Sequence, residues 1–109
     1  MPHLRFREID ESIMSQLSLE LPTVLAPVMT TSEDNFTFEK IETVFYSFGR
    51  QQKSYPFVEV LWFQRSQEVQ NESANIITQK VQMLTGQADV IVVFIPLLKN
   101  SYYENGKHF

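Results

Sequence analysis

The chain has 109 residues, 43% of them hydrophobic and nine of them phenylalanine, so it is read as one domain, 1–109; at this size only about 60–70% of the unfolded surface is hidden on folding, and so large an apolar load points to cover from other subunits. A net charge of −4 with no basic block argues against nucleic acid or an anionic membrane as partner, and the absence of cysteine excludes disulfides and thiolate metal sites. No apolar run approaches the roughly 18 residues of a membrane span and the start has no apolar signal core, so the expectation is a cytoplasmic protein without metal or cofactor.

Residues 3–8 alternate, with Leu4 and Phe6 toward one side and His3, Arg5 and Arg7 toward the other, as in a half-buried strand. Asp10 or Ser12 is placed to cap a helix. Ile13, Leu17, Leu21, Val24, Leu25 and Val28 then recur at three- and four-residue steps, which predicts a helix over 11–29 buried along one stripe. Pro22 and Pro27 interrupt that pattern; an interior proline costs about 3 kcal/mol, so the helix is expected to bend or restart near Leu21–Pro22. The polar stretch Thr30–Asn35 ends this unit. Residues 36–48 read as a long strand whose phase shift over Ile41–Phe45 suggests a β-bulge, and Gly49–Ser54 reads as a connector.

Tyr55–Phe63 is rich in aromatic and β-branched residues and is entered through Pro56, which predicts a strand. Ser66 is placed to cap a second helix with Glu68 in its first turn. Val69, Ser73, Ile76, Ile77, Val81 and Leu84 form its stripe, and Gly86 stops it. Val90–Ile95 has no polar alternation. Such a run is normally covered on both faces; one layer of helices covers one, which leaves the other to a neighbouring subunit. Pro96 ends this strand, and the tail 99–109 is aromatic and polar, unlike a disordered end.

The chain therefore reads as one β-α-β unit written twice, over about 2–48 and 55–98, with Pro56 opening the second copy as Pro2 opens the first. Helical crossovers within each half are right-handed, and the short join makes the two halves antiparallel. The expected class is α+β, a two-layer sandwich of a four-stranded mixed sheet with two helices on one face.

Met1-Pro2 before the first strand, the duplicated units, the Phe48-Gly49 connector and Pro56 together resemble the tautomerase superfamily, which includes macrophage migration inhibitory factor. The stretches Pro2–Arg7, Tyr55–Phe63 and Tyr102–Gly106 are more similar to an uncharacterised bacterial branch of it. The resemblance implies a sheet order 2-1-3-4 and a homotrimer; the ferredoxin-like order 4-1-3-2 is the alternative. In both, the first and third strands lie side by side and antiparallel, and superposing the halves through Pro2 and Pro56 places Arg5 opposite Glu59, expected as a cross-strand ion pair on the face away from the helices.

The resemblance also implies a chemistry. Removal of Met1 would make Pro2 a free secondary amine, titrating near about 8 and lower in a partly apolar pocket, able to take a proton from carbon next to a carbonyl. A cation must then hold the developing enolate or the acid group of the substrate. The start of strand one lies near the end of strand three, which brings Trp62, Gln64 and Arg65 toward Pro2. Arg65 is the candidate carboxylate fork, with Trp62, Tyr102 and Tyr103 as substrate-binding neighbours. Arg50 and Lys53 fall at the far end. His3 and His108 lack metal-ligand spacing, and no phosphate loop or nucleophile motif is present. The expected function is a tautomerase or isomerase acting on a small keto-enol acid with Pro2 as base; the alternative is an inactive trimeric scaffold or small-molecule-binding protein of the same fold.

Overall fold

The computed structural model describes residues 1–109. β1 (His3–Arg7) leads into α1 (Glu11–Met29), a 3-10 turn at Glu33–Asn35 and β2 (Thr37–Lys40). A hairpin of β3 (Tyr46–Ser47) and β4 (Arg50–Gln51) precedes β5 (Phe57–Trp62), α2 (Gln67–Thr85) and β6 (Ile91–Pro96). A 3-10 turn at Lys99–Ser101 and a second hairpin, β7 (Tyr103–Glu104) with β8 (Lys107–His108), follow. The main sheet runs β2-β1-β5-β6, which is the expected 2-1-3-4 in the long strands. The β1–β2 and β5–β6 pairs are parallel and the central β1–β5 pair is antiparallel.

The duplication extends to single hydrogen bonds. His3 pairs with Thr37 as Phe57 pairs with Ile91. Thr37 N–H donates to the Pro2 carbonyl at 3.1 Å, and Ile91 N–H to the Pro56 carbonyl at 3.0 Å. Each proline lacks an N–H and sits just ahead of its strand, where it serves the ladder as an acceptor only.

Alternation sorts the central strands. Leu4, Phe6, Val58, Val60 and Trp62 are fully buried toward the helices, and His3, Arg5, Arg7 and Glu59 lie on the other face. From α1 the core takes Met14, Leu17, Leu21, Leu25, Ala26 and Met29. Val24, expected inside, is 40% exposed, because the buried stripe steps from Leu21 to Leu25 and passes it by. From α2 it takes Ser73, Ile77 and Val81, with Val69, Ile76 and Leu84 packed at the margin.

The helix α1 does not restart at Leu21–Pro22 but runs unbroken through both prolines. The carbonyls that Pro22 and Pro27 leave without helical donors belong to Ser18 and Thr23, both exposed, where water can satisfy them. Asp10 is its N-cap by backbone conformation, without a side-chain bond. In α2 the Ser66 hydroxyl accepts from Val69 N–H at 3.2 Å, and Gly86 closes the helix at φ 73°.

The second strand is shorter than its apolar run. It ends at Lys40, and Ile41 adds one last bond from its N–H to the Phe6 carbonyl at 2.8 Å. No bulged strand continues to Phe48. Instead Tyr46 pairs with Gln51 and Ser47 with Arg50 around a turn with φ 52° at Phe48 and 78° at Gly49. Two positive φ values in succession define the tight hairpin turn that matches strand twist, so the expected connector is half of a hairpin. Phe48 at its tip is fully exposed.

On β6, Val92 and Phe94 pack on the core, while Ile91 and Val93 on the opposite face are each 38% exposed. That outer face is divided: β1 and β2 present His3, Arg5, Arg7 and Glu39, and β5 and β6 present Phe57, Leu61, Ile91, Val93 and Ile95 beside them. No helix is long and apolar enough to cross a membrane.

Replacing Ser66 by Ala removes the α2 cap and should lower unfolding free energy by about 1 kcal/mol, read as a shift in the urea midpoint with an unchanged slope.

Candidate active site

The register of the central pair assembles the site. His3 faces Leu61, so the next step of the antiparallel ladder sets Pro2 against Trp62 and the one after it Met1 against Phe63. Pro2 and Trp62 are both fully buried. The Trp62 ring rests on Phe94 with centroids 4.7 Å apart, and its indole N–H has no protein acceptor. With Met1 in place the Pro2 nitrogen is an amide.

Arg65 follows β5 by three residues and turns back over it. Its guanidinium carbon lies 5.1 Å from the Trp62 ring centroid, within cation–π range. Nε donates to the Met29 carbonyl at 3.1 Å and Nη1 to the Phe63 carbonyl at 2.6 Å. The last turn of α1 carries no basic residue of its own; Arg65 supplies the positive charge that this helix end favours. Of its five N–H groups, those two bonds leave three. Burial pushes the Arg65 pKa down from its ordinary range. The α-amino group of Met1 is likewise held below its ordinary value, by burial first and then by the charge of Arg65.

The aromatic tail starts from the same end. Leu97 N–H donates to the Trp62 carbonyl at 2.7 Å. Phe63, Tyr102 and Phe109 form a triad with centroids 5.0–5.4 Å apart, and Lys99 Nζ lies 5.8 Å from the Phe63 ring. Tyr103 sits on the exposed second hairpin against His108. The structure therefore brings Pro2, Trp62 and Arg65 together, reaches Tyr102 through Phe63, and leaves Tyr103 outside that contact. Phe63, Lys99, Phe109 and the Met29 carbonyl escaped the sequence reading. The aromatic spacing of the tail was the available signal for Phe109; a backbone carbonyl leaves none.

A polar cavity of about 250 Å³ opens at the opposite end of the sheet, lined by Glu8, Asp10, Lys40, Glu42 and Lys53 among others, away from Pro2. There Glu8 continues the register opposite Pro56, adopts φ 60° and accepts from Ser54 N–H at 3.1 Å.

Charges on the outer sheet face form a ladder. Arg5 is opposite Glu59 as expected, but their closest approach is 3.9 Å. Glu59 pairs more tightly with Arg7 at 2.5 Å, and Arg5 with Glu39 at 3.1 Å. His3 completes the row, with Nδ1 2.6 Å from the Thr37 hydroxyl and Nε2 3.0 Å from Glu39.

A family profile described as Domain of unknown function (DUF1904) matches residues 1–108. The chain belongs to this family. It is 36% identical to a DUF1904 protein of known structure from Sebaldella termitidis, with both chains fully covered and a TM-score of 0.93. It is 41% identical to a protein of unknown function from Vibrio cholerae O1 biovar eltor, over 99% of this chain and 87% of that one, TM-score 0.88. A macrophage migration inhibitory factor-like protein from Entamoeba histolytica shares the fold at 15% identity, over 99% of this chain and 98% of that one, TM-score 0.77. No curated protein matches. The DUF1904 chain thus shares its fold with the macrophage migration inhibitory factor-like protein.

The Glu39 carboxyl is held below its ordinary value of 4.5, first by the hydrogen bond from His3, with the charge of Arg5 adding. A lowered folded value gives stability that is present above the unfolded value and lost as pH falls through the folded one. The urea midpoint should therefore drop below about pH 4.5, and Glu39→Gln should flatten that part of the profile.

Proposed function

We propose that this protein is a tautomerase or isomerase-like protein that uses Pro2, after removal of Met1, as general base on a small keto-enol acid. The observation that carries the reading is the position of Pro2 on this fold. It is the residue just before the central strand, set against Trp62, with the Arg65 guanidinium stacked on that ring. A neutral secondary amine there would take a proton from carbon next to the substrate carbonyl, and the same proton would return to the other end of the enolate. The three N–H groups left on Arg65 would hold the acid group, as a fixed fork suits a carboxylate. Trp62 and Tyr102 would form the apolar surroundings.

The second reading is a catalytically inactive scaffold or small-molecule-binding protein of the same fold. It is favoured by the full burial of Pro2 and Trp62 beneath Met1, and by the two backbone carbonyls that already engage Arg65. In both readings the proposed assembly is a homotrimer in the cytoplasm. Its support is the outer sheet surface around Ile91 and Val93, which an isolated chain leaves to water.

Intact mass of the untagged protein should show loss of Met1, and a mass that retains it removes the catalytic reading. The processed protein should ketonise a phenylenolpyruvate-type substrate, and Pro2→Ala should lower kcat/KM by about 10²–10⁴-fold. Equal rates in the two would leave the scaffold reading. Sedimentation should give three times the chain mass; a stable monomer would overturn the trimer.

A further inference from the structure

The two ends of the central strand pair are built alike but filled differently. At one end Trp62 stands opposite Pro2, and both are fully buried. At the other, the register carried one step past Arg7 and Phe57 sets Glu8 opposite Pro56. Glu8 is smaller than an indole and is turned toward Ser54, whose N–H donates to its Oε2 at 3.1 Å. Where an aromatic ring fills the corner beside Pro2, a polar cavity of about 250 Å³ opens at Glu8. A water in the liquid takes about 30 Å³, so this volume suits a molecule of about eight non-hydrogen atoms.

The charges around the cavity do not satisfy one another. Lys40 is engaged by Glu42, with Nζ 2.7 Å from its Oε1. The Oε1 of Glu8 has no protein donor, since Ser54 bonds the other oxygen. Asp10 is the N-cap of α1 as Ser66 is of α2. Ser66 accepts from the N–H of Val69, whereas Asp10 makes no side-chain cap bond, so its carboxylate is uncommitted. Lys53, on the segment leading into β5, has no carboxylate within ion-pair distance. Two carboxylates and one ammonium without partners therefore line one cavity, with the Thr43 side chain beside them. No three acidic groups are placed to share a metal ion.

We propose that this cavity binds a free α-amino acid, with the ligand's ammonium held by Glu8 and Asp10 and its carboxylate by Lys53 and the Thr43 hydroxyl. The pattern calls for both charges on one small molecule. An anion alone would meet two carboxylates, and a simple amine would leave Lys53 facing a second cation. Bonds in which one partner is ionised are roughly twice as strong as neutral ones, and here each end of a zwitterion meets an ionised partner. The cavity lies at the far end of the sheet from Pro2 and does not depend on the chemistry proposed there.

The test is a ¹H–¹⁵N NMR titration of the intact protein with L-alanine, L-serine and L-threonine in turn. At least one should give saturable shifts at Ile41, Ser54 and Gln87, which line the cavity, and none at the Trp62 indole. Glu8→Gln keeps an oxygen for the Ser54 N–H and should weaken binding by about tenfold or more, as should Lys53→Met at an exposed position. If Glu8→Gln does not fold, Asp10→Asn carries the same expectation. L-lactate replaces the ammonium by a hydroxyl and L-alaninol lacks the carboxylate; each should bind about tenfold or more weakly than the amino acid. No saturable shift with any of the three amino acids would overturn the proposal. So would undiminished binding in the variants, equal binding of L-lactate or L-alaninol, or shifts at these residues from magnesium or calcium alone.

Discussion

The antiparallel pairing of β1 with β5 is the constraint on which the rest of the molecule depends. It joins the two β-α-β units and sets one register for the whole sheet. Leu4 and Phe6 face the helices because Val60 and Val58 oppose them. A slip of β1 by one residue against β5 would turn Leu4 and Phe6 to the outer face and His3, Arg5 and Arg7 into the core. The cross-strand charges oppose such a slip, since Arg5 and Arg7 reach Glu39 and Glu59 only in the observed alignment. The same alignment decides which residue meets Pro2, so the composition of the site follows from a pairing whose energetics lie in the core.

Arg65 shows how the two layers are tied at one corner. The α1 helix ends in a left-handed Thr30 with no basic residue in its last turn, and β5 ends in a loop. One guanidinium serves both by accepting neither more freedom than its two carbonyl bonds allow nor full exposure to water. Replacing a bidentate, stacked arginine of this kind by lysine is not conservative. Met29, whose carbonyl receives one of these bonds, is itself buried in the core. The corner is therefore held from beneath by packing and from above by a charge.

Most of the architecture could be read before the structure because its signals are local and repeated. Two prolines ahead of two alternating strands, two helical stripes, the Ser66 cap and the Gly86 stop all use rules with a span of a few residues. The misreadings arose where tertiary context prevailed. Residues 36–48 looked like one strand because apolar residues continue past Lys40. Only the backbone of Phe48–Gly49 makes that run fold back on itself, and a phenylalanine in a left-handed conformation gives no warning in sequence. The prolines in α1 predicted a break, yet their orphaned carbonyls face water. At the site, Trp62 and Arg65 could be brought toward Pro2 from strand order alone. The grip of Arg65 on Met29 could not, because it joins a side chain to a backbone atom 36 residues away.

The matched hydrogen bonds of Pro2 and Pro56 have one more consequence. The halves are alike in backbone, but the two prolines stand in different surroundings. Pro56 remains a tertiary amide for the life of the chain, and its own corner is occupied by Glu8 rather than by an indole and a guanidinium. Doubling the module therefore does not double the site: the backbone repeats, while each corner carries its own side chains and is free to diverge.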